Sequence, residues 1–319
     1  MPAKNQSLPP FDDDDAIACK NLVRVIEELL ERRRTEMREG KVFFHVWNHE
    51  DWPREWKSSE LRDTIYSSYA ALSKGKIKRP PPLSTVMEIA DYLECGLEER
   101  NRLLVAAHYA PIHPYLTGER LISVTKIAKE ITDYIPLPSY VINRDWNILS
   151  FNRHLLKIFG LTENDVSKIT PNRLNILHFI LDPDLPIYQG LAHSYESWEY
   201  IARRNVYGFK LENSISQYDE WFKPHIEELM KLPRFTDFWE ETQIDWPVSS
   251  NAGFPYYTTE VMTPLGKLMR FRSILTLLGN YNYPQIVSYI PVDQESRDIF
   301  TELGIPTPEN AWGTTSLLD

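Results

Sequence analysis

The segment from Thr64 to Cys95 constrains the fold more than any other part of this 319-residue chain. Small and hydrogen-bonding side chains at 66–73 lead to a stop at Gly75, and a basic, proline-rich turn follows at 74–82. Apolar residues then recur at helical spacing in Met87, Ile89, Ala90 and Leu93. Two helices joined through a glycine stop and a proline-rich turn favour an all-helical N-terminal domain.

The order of these features resembles the second half of a Cro- or Xre-type helix-turn-helix domain. The sequence SYAALSKGK, from Ser68 to Lys76, stands in the place of the recognition helix and its Gly-terminated end. The resemblance implies that the helix at 66–73 enters the major groove of double-stranded DNA and that the cations after it meet phosphates. The predicted DNA contacts are Arg62, Ser67, Ser68, Tyr69, Lys74, Lys76, Lys78 and Arg79.

The charge distribution is compatible with such a head. The chain carries a net charge of −10, yet between Arg54 and Arg79 seven bases stand against three acids, a local charge of +4. A basic patch on an acidic protein is typical of a DNA binder that does not coat nucleic acid indiscriminately. The alternative is a solvated helix face with no partner.

Composition divides the chain into four parts. We predict a disordered acidic tail at 1–18, a helix-turn-helix domain at 19–110, a linker at 111–120 and a second domain at 121–319. In that second domain, a helix at 122–134 precedes two short strands at 140–143 and 148–151, which form a hairpin. Three further strands and a helix follow at 256–262, 267–278, 285–291 and 294–303.

Two strands, a helical segment and three antiparallel strands form the chain order of a PAS-like α+β domain with a five-stranded antiparallel sheet. One face of such a sheet is free to close over a pocket. On the strand at 267–278, the side chains of Met269, Phe271, Leu275 and Leu277 are predicted to face inward and that of Arg272 outward.

Several segments together resemble the MmyB-like transcription regulators, bacterial proteins with an Xre-type, lambda-repressor-like head and a PAS-like ligand-binding domain. These segments are PSYVINRDWNILSFNRHLLKIFG, NRLNILHFILDP, WEYIARRNVYGF, LMKLPRFTDFWEE and PLGKLMRFRSIL. The resemblance covers roughly 21–303 and implies a ligand-responsive regulator. With no leader before the acidic run at 12–15 and no long apolar run, we expect a cytoplasmic protein. Because one head makes too few base contacts for specific affinity, we also expect a homodimer on DNA.

The second domain is rich in aromatic residues, which commonly line small-molecule pockets with a few convergent polar groups. We predict an elongated apolar ligand, a fatty acid being the first choice, and no other cofactor. Its acidic head group would need a partner at the mouth of the pocket, for which Arg203, Arg204, His178 or His225 could serve. The alternatives are a packed aromatic core without a cavity and, for Asn152, the role of helix cap. The predicted ligand contacts are Trp146, Phe151, Asn152, Phe159, Asn175, His178, Phe179, Trp198, Arg203, Trp221, Phe222, His225, Phe238, Trp239, Met269 and Phe271.

Other function classes have little support in the sequence. His45 and His49 lie four residues apart, but no second ligand cluster accompanies them, so no metal site is predicted. Nucleotide-binding glycine motifs and a nucleophile elbow are absent from the sequence, and the chain is not expected to be an enzyme. No apolar run reaches the ~20 residues of a membrane span. The remaining alternatives are a protein-interaction adaptor with a degenerate head and, less favoured, an enzyme acting in the aromatic cavity.

Overall fold

The computed structural model describes residues 12–40, 55–112, 116, 118–241, 258–279 and 281–306. The chain divides into two compact units, Met1–Ile112 with Ser214–Pro224 and His113–Asn213 with His225–Asp319. The first unit is left after Ile112, within the predicted linker at 111–120, and the segment Ser214–Pro224 of the first unit lies within the predicted second domain at 121–319. The pair His45 and His49 lies outside the described residues.

The N-terminal region is helical. Its core is built from apolar stripes such as Leu22, Ile26, Leu29 and Leu30, all of which are buried. The described helices of this unit are α1 (Asp12–Arg38), α2 (Ser58–Thr64), α3 (Tyr69–Ser73), α4 (Leu83–Tyr92) and α5 (Leu97–Ala106).

Helix α1 begins earlier than the sequence predicts. The disordered tail was expected to reach residue 18, but the helix starts at Asp12. Asp14 and Asp15 lie in its first turn, where carboxylates suit the positive end of the helix dipole. Ala18 and Cys19 are already buried, so packing fixes this stretch as helix.

Buried Arg33 connects α1 to the turn between α4 and α5. Its Nε donates to the carbonyl oxygen of Leu93 over 2.8 Å and its Nη2 to that of Glu94 over 3.0 Å. The same guanidinium pairs with the carboxylate of Glu99. Since Glu94 has a left-handed φ of 52°, its turn leaves backbone carbonyls that need a donor, and Arg33 supplies it.

The segment Ser214–Pro224 completes the first unit. Asp219 Oδ1 accepts a hydrogen bond from the backbone N–H of Leu97, the first residue of α5, over 2.9 Å. Gly96 precedes that helix, and a Cβ added there would lie 2.3 Å from Asp219 Oδ1. A carboxylate therefore caps α5 from a distant part of the sequence, and Gly96 leaves room for it.

The second unit contains a five-stranded antiparallel sheet in the order β2-β1-β5-β4-β3. The strands agree with the predicted ones to within three residues at each end, because alternation and turn residues mark them in the sequence. They are β1 (Ser139–Ile142), β2 (Ile148–Phe151), β3 (Thr259–Met262), β4 (Leu268–Leu277) and β5 (Gln285–Pro291).

Helices surround this sheet, and side chains cap several of their first turns. Asn152, Thr162, Asn175, Ser194 and Asp293 each accept a backbone N–H at a helix start. The described helices are α6 (Gly118–Tyr134), α7 (Arg153–Phe159), α8 (Glu163–Ser167), α9 (Ile176–Leu181), α10 (Pro186–Leu191), α11 (Tyr195–Glu212), α12 (Phe222–Leu229), α13 (Phe235–Glu241) and α14 (Gln294–Glu302), and a 3₁₀ turn lies at Pro171–Arg173.

Helix α6 lies on one face of the sheet, which we call the outer face. It begins at Gly118, so the predicted linker at 111–120 is too long by three residues. Ala128 of α6 packs with Val141 of β1 and Ile286 of β5. The opposite, inner face of the sheet is turned toward α9, α10 and α11 and carries the candidate site.

Candidate functional site

A cavity of about 90 Å³ lies on the inner face of the sheet. A void of roughly 10–15 Å³ by the same measure holds one water molecule, so this space is large enough for a small organic group. The walls are mostly apolar: Ile142, Trp146, Ile148, Leu155, Phe159, Ile176, Phe179, Ile180, Ile187, Leu191, Ile201, Phe271, Leu275 and Val287. The alternative of a packed core without a cavity does not describe this unit.

Strand alternation brings the sheet residues to the cavity. Tyr140 of β1 and Leu275 of β4 both pair with Val287 of β5, so the three side chains share one face. Phe271 of β4 lies on that face too, and its ring stacks on Tyr289 with centroids 4.0 Å apart. The inward position predicted for Leu275 and Phe271 matches this arrangement.

Two predicted inward residues on the same strand do not line the cavity. Leu277, the last residue of β4, is 48 % exposed. Met269 is fully buried, but it lies outside the lining set. Arg272 is exposed on the outer face, as alternation requires.

One end of the cavity is polar. Arg204 of α11 and Thr259 of β3 line it, and Arg204 Nη2 donates to Thr259 Oγ1 over 3.4 Å. The rings of Tyr140 and Tyr289 pack edge to face there, with centroids 5.7 Å apart. Burial raises the pKa of Tyr140 and raises that of Tyr289 to about 12, while the positive charge of Arg204 opposes both shifts. This end therefore presents hydrogen-bond donors and a cation, which suits an anionic group.

A second polar group lies eight residues further along α11. Glu212 lines the cavity and accepts a hydrogen bond from Trp146 Nε1 over 3.0 Å. The hydroxyl of Tyr283 donates to the same carboxylate. At 1.5 Å per residue, Glu212 lies about 12 Å from Arg204 along the helix axis. The cavity is therefore cationic at one end, anionic at the other and apolar between them.

Only part of the predicted ligand contacts line this cavity. The lining set includes Trp146, Phe159, Phe179 and Phe271. Several of the others act in the framework around it. Asn152 caps α7 and donates to the carbonyl oxygen of Leu137 over 2.7 Å, which fits the alternative role weighed for it.

Other predicted contacts also have structural partners. Asn175 caps α9 and donates to the carbonyl oxygen of Asp145. Trp198 Nε1 donates to the carbonyl oxygen of Ile180, and Arg203 forms ion pairs with Glu199 and Glu241 outside the cavity. The residues outside the lining set are Phe151, Asn152, Asn175, His178, Trp198, Arg203, Trp221, Phe222, His225, Phe238, Trp239 and Met269.

Trp221 and Phe222 belong to the first compact unit and not to the second. His178 and His225 are both kept neutral by their surroundings. Burial lowers the pKa of His178, and burial together with nearby His178 lowers that of His225 to about 4. Neither imidazole is a cation at neutral pH, which makes both poor partners for an acidic ligand.

Sequence reasoning weighed Arg204 as a partner for an acidic head group but placed only Arg203 in the predicted site, and it missed Asn205, Glu212, Thr259 and Gln285 as lining residues. The sequence of α11 did contain one signal. Arg204, Asn205 and Glu212 follow Ile201 by three, four and eleven residues, and this spacing places all four on one face of the helix. Choosing between adjacent Arg203 and Arg204 requires the rotation of α11 relative to the sheet, which depends on packing between distant parts of the chain.

In the helical unit, the basic segment is exposed. Lys74, Lys76, Lys78 and Arg79 follow the short helix α3, and Gly75 with φ of 67° ends it. Arg62 is exposed as well and forms an ion pair with Asp63. These cations are available to a polyanion.

The helix predicted at 66–73 is shorter than expected, since α3 begins at Tyr69. Tyr69 itself is 2 % exposed, so its predicted contact with a base edge is wrong. Its hydroxyl donates to Glu27 Oε1 over 2.6 Å. Burial is the main cause that raises the pKa of Tyr69, and this hydrogen bond adds to the shift. Ser67 is exposed and Ser68 half-buried before the helix start.

Within the described ranges, no group of three or more His, Cys, Asp or Glu side chains is arranged to hold a metal ion. Among those same residues, no helix is long and apolar enough to cross a membrane.

A comparison of the sequence with curated proteins finds no match. Residues 127–300, more than half of the chain, match the family model described as the MmyB-like transcription regulator ligand binding domain. The matched range begins within α6 and ends within α14, so it contains the whole described sheet and every cavity-lining residue. The chain belongs to the family of MmyB-like transcription regulators defined by this ligand-binding domain.

Proposed function

We propose that this protein is a ligand-responsive transcription regulator that binds DNA through its N-terminal helices and a small apolar acid through its C-terminal unit. The observation that carries the proposal is the apolar cavity within the matched family range, with Arg204 at one end. The sheet order β2-β1-β5-β4-β3 supports a PAS-like description of this unit.

A fatty acid is our first choice of ligand. Its chain would lie between the aliphatic and aromatic walls, and burial of about ten methylenes contributes about 8 kcal/mol before ordering costs. Its carboxylate would meet Arg204 and the hydroxyls of Tyr140 and Tyr289. With the acid group at this end, the chain fills the space toward Trp146.

Mass spectrometry of the organic extract of the purified protein tests the ligand class directly. We expect a fatty acid in the extract, and we expect added fatty acid to raise the melting temperature of the delipidated protein. An alcohol of the same chain length is the control, since it lacks the charge that Arg204 would recognise. Equal stabilisation by acid and alcohol would contradict the proposed head-group site.

Substitution of Arg204 gives a sharper test of the same site. A charge-assisted hydrogen bond contributes about 1.5–3 kcal/mol, so Arg204→Leu should weaken fatty-acid binding by roughly 10- to 150-fold in titration calorimetry. Arg203→Leu is the matched control, because that neighbour pairs with Glu199 and Glu241 outside the cavity. Equal losses in both variants would remove Arg204 from the proposal.

DNA binding is supported by the exposed cations after α3. Lys74, Lys76 and Arg79 would contact phosphates, and Ser67 and Ser68 would approach base edges. A filter-binding assay over a salt series tests this assignment, since affinity that rests on phosphate contacts falls steeply as salt rises. We further propose a homodimer, because two heads one DNA turn apart reach a specific affinity that one head does not.

The burial of Tyr69 favours a second candidate function, a protein-interaction adaptor. Because Tyr69 is buried, only Ser67 and Ser68 remain of the side chains predicted to contact DNA bases near the start of α3. An adaptor would show no affinity for DNA at low salt, whereas a regulator would bind and weaken as salt is added. The salt series therefore separates the two functions.

A further inference from the structure

The carboxylate at the far end of the cavity from Arg204 is held in a fixed orientation. Trp146, which is buried, donates from Nε1 to Glu212 Oε2 over 3.0 Å, and the hydroxyl of Tyr283 donates to the same oxygen. Two rigid aromatic donors therefore position the group, and Glu212 itself lines the cavity. A carboxylate in such a place presents a hydrogen-bond acceptor to an occupant of the cavity.

Gln285 adds a second polar group at this end. It lines the cavity and is only 9 % exposed. It pairs with Ile142, the last residue of β1, and Trp146 lies in the turn that follows that strand. Among the described residues, none forms a hydrogen bond with the side-chain amide of Gln285. Because a buried amide without a partner is costly, this side chain marks a place for a polar group of a ligand.

Two measures of the cavity give the same separation between its polar ends. Arg204 and Glu212 are eight residues apart on α11, which corresponds to about 12 Å along the helix. Gln285 and Tyr289 are four residues apart on β5, which corresponds to about 13 Å along the strand. Val287 lies between the latter two on the same face and continues the apolar wall.

This separation sets the length of a ligand that reaches both ends. A carbon–carbon bond of about 1.5 Å at an angle of about 111° advances an extended chain by about 1.25 Å, so about ten carbons span the distance. A plain fatty acid of that length would place its methyl group against Glu212 and Gln285 and would leave both without a partner from the ligand.

The charges at this end favour a neutral donor. A second carboxylate on the ligand would be repelled by Glu212. Burial and Glu212 raise the pKa of Tyr283, while the positive charge of Arg144 lowers it, so a cation already acts at this end. A hydroxyl can donate to the carboxylate of Glu212 and accept from the amide of Gln285, and it adds no charge.

We propose that the ligand is a fatty acid of about ten carbons with a hydroxyl at its far end, bound with its carboxylate at Arg204 and its hydroxyl at Glu212 and Gln285. This inference rests on the proposed binding of a fatty acid at Arg204 and adds recognition of the other end. Glu212 and Gln285 then determine specificity, because they distinguish a hydroxylated chain from a plain one of the same length.

Titration calorimetry of the delipidated full chain with ω-hydroxydecanoic acid, decanoic acid and decanedioic acid tests the second head group. A hydrogen bond to a charged group changes a dissociation constant by about 10- to 150-fold, so we expect the hydroxy acid to bind at least about tenfold more tightly than decanoic acid. Decanedioic acid should bind more weakly than decanoic acid. The advantage of the hydroxyl should shrink in the six-carbon pair of acids, which is too short to reach both ends.

Two variants assign the preference to residues. Glu212→Gln should reduce the advantage of the hydroxy acid to about threefold or less and should improve binding of decanedioic acid. Gln285→Leu should also reduce the advantage. Affinity for decanoic acid, expected within about threefold of wild type in both, shows that each variant is folded. Glu196→Gln, at an exposed position of the same helix, is the matched control and should keep the full preference.

Each outcome separates this inference from the function on which it rests. Equal binding of hydroxy acid and plain acid by the wild type would overturn the second head group and leave fatty-acid binding standing. A preference that survives both Glu212→Gln and Gln285→Leu would remove these residues from the site. Tighter binding of ω-aminodecanoic acid would overturn the choice of a neutral donor. A wild type that binds none of these acids would overturn both proposals.

Discussion

At the scale of single residues, the polar groups around the cavity are distinguished by their partners. Asn152 is buried and fully engaged: its Oδ1 accepts from the backbone N–H groups of Leu155 and Ser139, and its Nδ2 donates to the carbonyl oxygen of Leu137. A residue with this set of bonds supports the site without touching a ligand. Arg204 follows Arg203 on α11, and the two arginines differ in where their side chains point. Only that of Arg204 lines the cavity.

Removal of the Asn152 side chain takes a hydrogen-bond partner from each of these three backbone groups. We expect Asn152→Ala to lower the free energy of unfolding by about 2–4 kcal/mol, from the lost cap and the unsatisfied buried groups. Urea denaturation measures this change. Asn164→Ala, at an exposed position of α8, is the control and should cost less than about 0.5 kcal/mol.

His225 should make stability depend on pH. Its folded pKa is lowered to about 4, mainly by burial, against about 6.5 when unfolded. The unfolded chain therefore binds the proton first, and stability present at neutral pH is lost as pH falls from about 6.5 toward 4. The loss amounts to about 3 kcal/mol at pH 4.

Melting curves between pH 7 and pH 4.5 provide the measurement. His225→Gln should flatten the decline relative to wild type, whereas His108→Gln, at an exposed position of the first unit, should leave it unchanged. An equally steep decline in the His225 variant would show that the slope arises elsewhere.

At the scale of elements, the spacing of apolar residues predicted the helices and strands but not how they pack against one another. The strands and α6 were predicted because alternation, turn residues and amphipathic spacing are local features. Tyr69 shows the limit. Its position at the start of a predicted recognition helix suggested an exposed contact, but Glu27, 42 residues earlier, supplies a buried acceptor for its hydroxyl. Likewise, Arg204 differs from Arg203 only through the rotation of α11.

The basic turn after α3 should act as one unit in DNA binding. We expect a Lys74→Ala, Lys76→Ala, Arg79→Ala triple variant to lose most affinity for every DNA sequence. The slope of log affinity against log salt should fall by up to about 2.7, which corresponds to three phosphate contacts. A triple alanine variant at Lys129, Lys168 and Lys231, exposed cations of the second unit, is the control. Retained affinity in the first variant would contradict the assignment of α3.

At the scale of the whole molecule, the chain enters the helical unit twice. Residues up to Ile112 form most of it, and Ser214–Pro224 return to it between α11 and α12. The sequence predicted a single crossing because a linker rich in proline and glycine marks one, whereas the second crossing carries no such composition. The hydrogen bond from the N–H of Leu97 to Asp219 and the guanidinium of Arg100 over the ring of Tyr218 identify it.

This arrangement predicts the behaviour of fragments. A fragment of residues 12–112 should melt at a lower temperature than the same unit in the full chain, because the N-terminus of α5 loses its carboxylate cap. In the full chain, Asp219→Ala should lower the free energy of unfolding by about 1 kcal/mol, as for other lost caps. Asp219→Asn keeps an acceptor and should cost less. Equal losses would argue against a capping role.

The cap on α5 also bears on how such proteins can be recombined. The helical unit includes the eleven residues Ser214–Pro224, which lie far along the chain from the rest of it. A single cut in the sequence therefore does not separate the two units. If only the first 112 residues were exchanged between two regulators, the new α5 would meet a segment 214–224 that evolved to cap a different α5. A working chimera has to carry both stretches together, with a small residue at position 96 and an acid at position 219.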